Sequence, residues 1–277
     1  MLKQTLRSLL QKACPPLLDS IVALRNRRMF RQRFSKFHQE IKEKLYPNGT
    51  PITVQAGPFK GMLYFDEIVW GSITPKWLGS NECELHPVMS QIIDHGYENI
   101  IDVGCSEGCY VVGLAIMIPR ARVIGFDTDF ISRKQLARLA SLNDVEKRID
   151  VRSYCTHADL DALSGPDTLV ICDIEGCELQ LLDPEMAKSL YRDDILVETH
   201  GVAGCEEPVI EQTLCRRFGA SHNIERITSE SRERWIDQNI GNIPLSRDLM
   251  KKASDESRTP GQTWLWMQAK RKDLPRA

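Results

Sequence analysis

The stretch Asn99 to Ala115, NIIDVGCSEGCYVVGLA, constrains the chain more than any other. An apolar run, Ile100 to Val103, meets a turn of small residues, Gly104-Cys105-Ser106-Glu107-Gly108, and then an apolar segment of helical length. Strand, glycine turn and helix in that order form a ligand cradle. Glycine lets the backbone approach a ligand closely, and the helix start offers unpaired N–H groups. Asp102 closes the strand, where a carboxylate can hold an amine or a hydroxyl. A second strand, Arg122 to Phe126, ends in Asp127 and Thr128. The spacing is about 25 residues, one strand–helix–strand unit with an acid at the tip of its second strand, placed for ribose hydroxyls.

The same alternation runs on through the chain. Strands are expected near 100–103, 122–127, 149–154, 168–173, 194–199, 222–228 and 263–269, with helices in most of the gaps. Strands separated by helix-length segments predict an α/β fold, a mostly parallel sheet of seven strands with helices on both faces. The last strand, WLWMQAK, follows a charged insertion, Ser229 to Gln262, broken by Pro244 and Pro260. It reads as a late, hairpin-like return.

The pattern Asp102-x-Gly104-x-Ser106-x-Gly108 resembles motif I of the class I S-adenosylmethionine (SAM)-dependent methyltransferases, with serine at the usual middle glycine. Residues Leu169 to Leu182, LVICDIEGCELQLL, are similar to the Asp-x-Glu-Gly-x-Glu signature of FkbM-type methyltransferases. The resemblance covers roughly residues 80 to 270 and implies a Rossmann-like class I methyltransferase sheet. It further implies SAM as cofactor, held by Asp102, Gly104, Cys105, Ser106, Gly108, Asp127, Thr128 and Asp173. Asp127 would be the ribose-binding acid, and the acceptor a hydroxyl on a sugar, glycolipid or secondary metabolite.

In an open parallel sheet, ligands gather at the carboxyl ends of the strands. The polar residues there are Asp102, Asp127, Asp173, Glu175, Glu198 and His200. Asp173, Glu175, Glu198 and His200 form a candidate catalytic rim, because methyl transfer to a hydroxyl needs a group that takes the hydroxyl proton, and histidine titrates near neutrality. A leaving thioether needs no acid. Asp173, Glu198 and His200, with Glu175, are also oxygen-rich enough for Mg²⁺ or Mn²⁺. Carboxylates at strand ends are common in such sheets, however, so a divalent metal is not expected. Zinc is less expected still, because the sequence has no tight Cys/His spacing. His157 follows the third strand as a candidate adenine contact, and His222 opens a strand as a structural residue.

Three other readings compete. Gly104-Cys105-Ser106-Glu107-Gly108 also fits the G-x-S-x-G nucleophile elbow, and Asp173 and His200 follow in hydrolase order. A hydrolase elbow follows several strands and an upstream glycine-rich loop, which this chain lacks, and leaves Asp102 and Asp127 unexplained. A dehydrogenase would need a third glycine and a second nucleotide-binding half. A non-catalytic module on the SAM-binding fold would have no use for the Glu/His rim.

The chain has 277 residues, of which 42% are hydrophobic and 27% charged, as in an ordinary globular protein. Its net charge of -2 hides an asymmetry: residues 1–45 hold eleven Lys/Arg against three Asp/Glu, about +8, and the remainder is about -10. That pattern suits a surface-binding appendage and not a nucleic-acid-binding core. Residues 1–45 are therefore read as a basic amphipathic helical extension. It would lie on an anionic membrane surface or pack on the domain or a partner; an acid-poor opening is also what an organellar leader has. Residues 46–98 read as a connector that covers the pocket, with a hairpin turn at Pro58-Phe59-Lys60-Gly61 and with Trp70 and Trp77 either as lid residues or as cover for one sheet edge. Glu84 and His86 precede a helix that Gly96 would stop, either as caps or at the cofactor mouth. Residues 99–277 form the SAM-binding domain. Nine cysteines, an odd count without C-x-x-C, fit a reducing, cytoplasmic compartment. The oligomeric state is not encoded in any of these patterns.

Overall fold

Runs rich in valine, isoleucine and leucine become the middle of a sheet. In the computed structural model, which describes residues 36–66, 71–201, 206–256 and 262–270, β1 (Asn99–Val103), β4 (Thr168–Cys172) and β5 (Asp194–Thr199) are buried along nearly their whole length. Continuous burial is what central parallel strands covered on both faces require. The sheet has the order β3-β2-β1-β4-β5-β7-β6, with β2 at Arg122–Phe126, β3 at Ile149–Arg152, β6 at His222–Thr228 and β7 at Thr263–Ala269. Strands β1 to β5 are mutually parallel, and β7 runs antiparallel between β5 and β6. This is the Rossmann-like sheet with a late return.

Alternate residues of each strand feed two cores. Ile100, Leu169, Ile171, Leu196, Trp264 and Trp266 enter one, while Ile101, Val170, Cys172, Ile195, Val197 and Leu265 enter the other. The second core takes Leu160 from α6 (His157–Leu163) and Ile210 and Leu214 from α8 (Glu207–Phe218). The first takes Val111 and Leu114 of α4 (Cys109–Met117), Leu136 of α5 (Phe130–Leu142), and Val88 of α3 (His86–His95). It also takes Ile41 and Leu45 of α1 (36–45), Val54, and Leu78 of α2 (Thr74–Leu78). Residues 36–98 thus share one core with the sheet.

The segment before β1 contains the expected small hairpin: Val54 N donates to Met62 O at 2.9 Å and Gly61 N to Val54 O at 2.8 Å. Gly96, at φ +71°, stops α3 as its sequence position predicts. Trp77 corrects an expectation. It is fully buried, donates from Nε1 to Phe65 O at 3.1 Å and meets His38 and Tyr46 edge-on, so it is core and not a lid. Trp70 lies outside the described residues, as do residues 1–35 of the 1–45 extension on which the membrane and leader readings fall; its last ten residues form α1, which packs Ile41 and Leu45 on the domain. No described helix is long and apolar enough to cross a membrane.

The register fixes where ligands can sit. Asp102 pairs with Gly125 on one side and Ile171 on the other, and Cys172 with Val197, so the carboxyl ends of β2, β1, β4 and β5 lie along one edge. Between β1 and β4 the strand order changes direction, and that switch opens a crevice. Gly104 leaves β1 there at φ +86°, and a Cβ on it would stand 1.7 Å from Asp173 O. Gly104→Ala should therefore cost at least about 2 kcal/mol, left-handed strain plus a clash that moves the β4 turn. The midpoint of thermal unfolding should fall by about 4–8 °C; an unchanged midpoint would mean the two turns are not in contact.

Candidate functional site

The glycine turn is built around one carboxylate. Asp127, at the end of β2, accepts from Ser106 N at 2.8 Å through Oδ2 and from Asp129 N at 2.7 Å through Oδ1. Ser106 itself has φ +49°, which costs an L-residue about 1 kcal/mol and explains why glycine is usual at this position. Its hydroxyl donates to Glu107 Oε2 at 2.7 Å, so both of its polar groups are engaged in holding the strained turn. Gly108 starts α4 at φ +90°, where a Cβ would press on Leu136. Cys105 is buried beneath the turn, and Thr128 is exposed beside Asp127. Arg133 Nη1 donates to the carbonyls of Asp127 and Thr128 at 2.6 and 2.9 Å and fixes that loop.

Asp102 is 2% exposed, and its Oδ2 has no hydrogen-bond partner among the described residues. Burial, then the charges of Asp173, Asp127 and Glu82, push its carboxyl well above the ordinary value. An orphaned buried carboxyl oxygen beside a glycine cradle is a place where a ligand amine or hydroxyl would complete the hydrogen bonding.

Two residues of this end escaped the sequence reading. Glu107 is almost fully buried inside the turn. It accepts from Lys76 Nζ through Oε1 and from Tyr64 OH at 2.9 Å on the same oxygen. Burial alone would raise the Glu107 pKa, but the Lys76 charge and the hydrogen bonds from Lys76 and Ser106 hold it below the usual range. Glu82 is the other: it is buried at φ +48°, accepts from Tyr110 OH, and contributes to the field on Asp102. Spacing could not reveal either, because their partners lie about 30 residues away on other elements. Glu84 and His86 do not reach the glycine turn. Glu84 is held by Arg232 at 2.7 Å, and burial followed by the Arg232 charge pushes His86 down to about 4.

The rim forms at the neighbouring strand ends. After β4, Asp173 leads to Glu175 at φ +54° and Gly176 at φ +107°, a sharp turn into the one-turn helix α7 (Glu178–Leu181). Glu178, completely buried, accepts from Gly176 N and from His200 Nδ1, each at 2.9 Å, through Oε1. The opposite ring nitrogen, Nε2, lies 3.5 Å from Glu198 Oε2, 3.6 Å from Asp173 Oδ1 and 3.8 Å from Glu175 Oε2. The structure thus brings Asp173, Glu175, Glu198 and His200 together. Burial would lower the His200 pKa, but the Glu178 hydrogen bond and the Asp173 and Glu175 charges raise it. Glu178 stands in the Asp-x-Glu-Gly-x-Glu signature, yet only the fold shows its task of orienting the ring. His157 Nε2 donates to Gln180 O at 2.8 Å, and His222 Nε2 donates to Asp193 O at 2.9 Å inside the core.

The hydrolase elbow fails on geometry. Ser106 Oγ is engaged with Glu107, His200 Nδ1 is engaged with Glu178, and β1 is the first strand of the sheet among the described residues. A partly open recess between the hairpin and the start of α4, lined by Phe59, Lys76, His86 and Tyr110, has about 30 Å³ of room. That is enough for a water and too small for a cofactor.

No family model and no curated protein matches this chain. Solved structures resemble it at low identity. The cofactor-bound Rv0187 from MTB is 14% identical over 64% of this chain and 76% of its own, with a TM-score of 0.45. The O-methyltransferase TomG from Streptomyces achromogenes, solved in complex with SAM, is 12% identical over 65% and 77%, at 0.43. The O-methyltransferase from Bacillus cereus, in complex with SAH, is 10% identical over 65% and 77%, at 0.42. At these scores the likeness carries no activity across to this chain.

The buried pair gives a direct test of how the turn is held. Lys76→Met should cost about 3–5 kcal/mol, because it leaves the Glu107 carboxylate buried without its counter-charge. In urea denaturation, the double variant with Glu107→Gln should be more stable than Lys76→Met alone. Because the folded pKa of Glu107 is depressed, the stability it contributes is present above the ordinary glutamate value of 4.5 and is lost as pH falls through the lower folded value.

Proposed function

We propose that this chain is a SAM-dependent methyltransferase that acts on a hydroxyl of a small-molecule or glycan acceptor. One observation carries the reading: the glycine cradle with its two acids, Asp102 and Asp127, opens on the same sheet edge as the Asp173, Glu175, Glu198 and His200 rim. The orphaned Asp102 oxygen fits a ligand amine or hydroxyl held in the crevice beside the glycine turn. Gly104, Cys105, Ser106 and Gly108 would cradle the methionine part, with Asp102 toward its amine. Asp127 and Thr128 would take the ribose side; a carboxylate that already accepts two N–H bonds retains lone pairs for hydroxyls. Asp173 borders both cofactor and acceptor.

SAM, when bound, supplies an electrophilic methyl group and departs as a neutral thioether, so the protein needs no acid for the leaving group. The chain's own residues position the acceptor hydroxyl and receive its proton. His200 Nε2 and the carboxylates around it are the receiving groups, and Glu178 fixes the ring.

The FkbM-like assignment, with a sugar, glycolipid or secondary-metabolite acceptor, rests on the Asp173 to Glu178 signature. A cytoplasmic setting is supported by the free cysteines, Cys105 and Cys172 among them. Contact of the basic residues 1–45 with an anionic membrane face belongs to the same proposal and rests on their charge.

Calorimetric titration with SAM and with S-adenosylhomocysteine, in excess chelator, tests the cofactor. Micromolar binding is expected, and Asp127→Ala should weaken it by about tenfold or more, the loss of hydrogen bonds to a charged group. Equal affinity in Asp127→Ala would remove the ribose assignment, and absence of binding to the wild-type chain would sink the methyltransferase reading.

A further inference from the structure

His200 is only 9% exposed, and its two ring nitrogens have different fates. Nδ1 is hydrogen-bonded to Glu178 Oε1, and that oxygen is fixed in turn by Gly176 N. A buried carboxylate that accepts the Nδ1–H hydrogen bond selects the tautomer whose Nε2 carries a lone pair in the plane of the ring. Nε2 makes no hydrogen bond among the described residues, yet three carboxylate oxygens surround it at 3.5 to 3.8 Å. A lone pair aimed into anionic oxygens is repelled by each of them. A proton on Nε2 or a cation among these atoms would offset that repulsion.

We propose that Asp173, Glu175 and His200 Nε2 bind a divalent cation of the Mn²⁺ class, with Glu198 flanking it and Glu178 as the positioning residue for the imidazole. The three ligand atoms lie within 4.8 Å of one another. Octahedral coordination at about 2.1 Å puts neighbouring ligand atoms about 3 Å apart and opposite ones about 4.2 Å apart, so a contraction of about 0.6–0.8 Å from the 3.6 and 3.8 Å spacings at Nε2 closes the site. Two or three carboxylates with one imidazole suit Mn²⁺, since carboxylate oxygen alone favours Mg²⁺ or Ca²⁺ and added imidazoles favour Zn²⁺ or Fe²⁺. The hydrogen bond from Nδ1 to a buried carboxylate is the outer-shell partner that metal-binding histidines use to fix tautomer and direction. Glu175 is 85% exposed on a left-handed residue, so the site is open toward solvent on one side and keeps positions for water or a hydroxyl. If the methyltransferase reading holds, a cation here would lower the pKa of the acceptor hydroxyl itself and take over the part otherwise played at Nε2. That consequence rests on the reading, whereas the cation site does not.

The test uses the full-length chain, stripped with chelator, desalted and free of SAM. Mn²⁺ is titrated in while the electron paramagnetic resonance signal of free aqueous ion is followed. One ion per chain with a micromolar dissociation constant is expected. Glu175→Gln, at an exposed position that does not bear on folding, should weaken binding by about tenfold, and Glu178→Gln by about 10–100-fold. Glu178→Gln should do so with an unchanged melting temperature in the metal-free state, which a merely structural role would not allow. His200→Ala should abolish binding. No ion bound at about 1 mM, or unchanged affinity in Glu175→Gln and His200→Ala, would overturn the proposal and assign the charge at Nε2 to a proton. Since the titration contains no SAM and the cofactor titration contains chelator, either reading can fail alone.

Discussion

The ion pair between Lys76 and Glu107 sets the terms for the rest of the molecule. A carboxylate buried in a tight turn cannot stand alone, because the turn's backbone offers it too little in exchange for its hydration. Lys76, carried on α2, supplies the counter-charge, and Tyr64 and Ser106 supply hydrogen bonds. The segment before β1 is thereby made part of the site. It locks the glycine turn from behind, and with the turn locked, Asp127 can hold Ser106 N and Asp102 can face the crevice.

Much of this was legible in the chain because it is local. The strand–turn–helix at 99–115 announces itself by order and composition, and the acid at 127 by its distance from it. Strand positions follow from apolar runs that must be covered on both faces, and the hairpin at 58–61 and the stop at Gly96 follow from glycine's tolerance of positive φ. What stayed hidden depends on partners far apart in sequence. Nothing near Glu107 predicts Lys76, and nothing near Trp77 predicts that His38, Tyr46 and Phe65 enclose it. Tryptophan in a loop-rich segment suggests a lid only until the third dimension shows what surrounds it.

Glu178 lies between these cases. Its letter is part of the signature around Asp173, but its role needs the short helix that turns it inward and β5, which delivers His200 to it. The pair shows how a rim of like charges is kept ordered. One carboxylate is spent as a fixed hydrogen-bond acceptor for the ring and for Gly176, so that the ring's free edge is aimed and the other carboxylates meet it from different strands. Direction at that edge comes from a buried acid behind the ring.

The placement of β7 carries a consequence for how the molecule is made. This strand comes after β6 in the chain yet lies between β5 and β6 in the sheet. Leu265 and Trp264 pair with Val197 and Glu198 on one side and with Arg226 and Ile227 on the other. Until residues 263–269 leave the ribosome, β6 has no neighbour to dock on, and β5 shows an open edge beside the residues that will hold His200. The nascent chain therefore carries an incomplete sheet until β7 emerges, and the β5–β7 pairing it waits for is non-local. An exposed β5 edge at that stage is where premature association with other chains would begin.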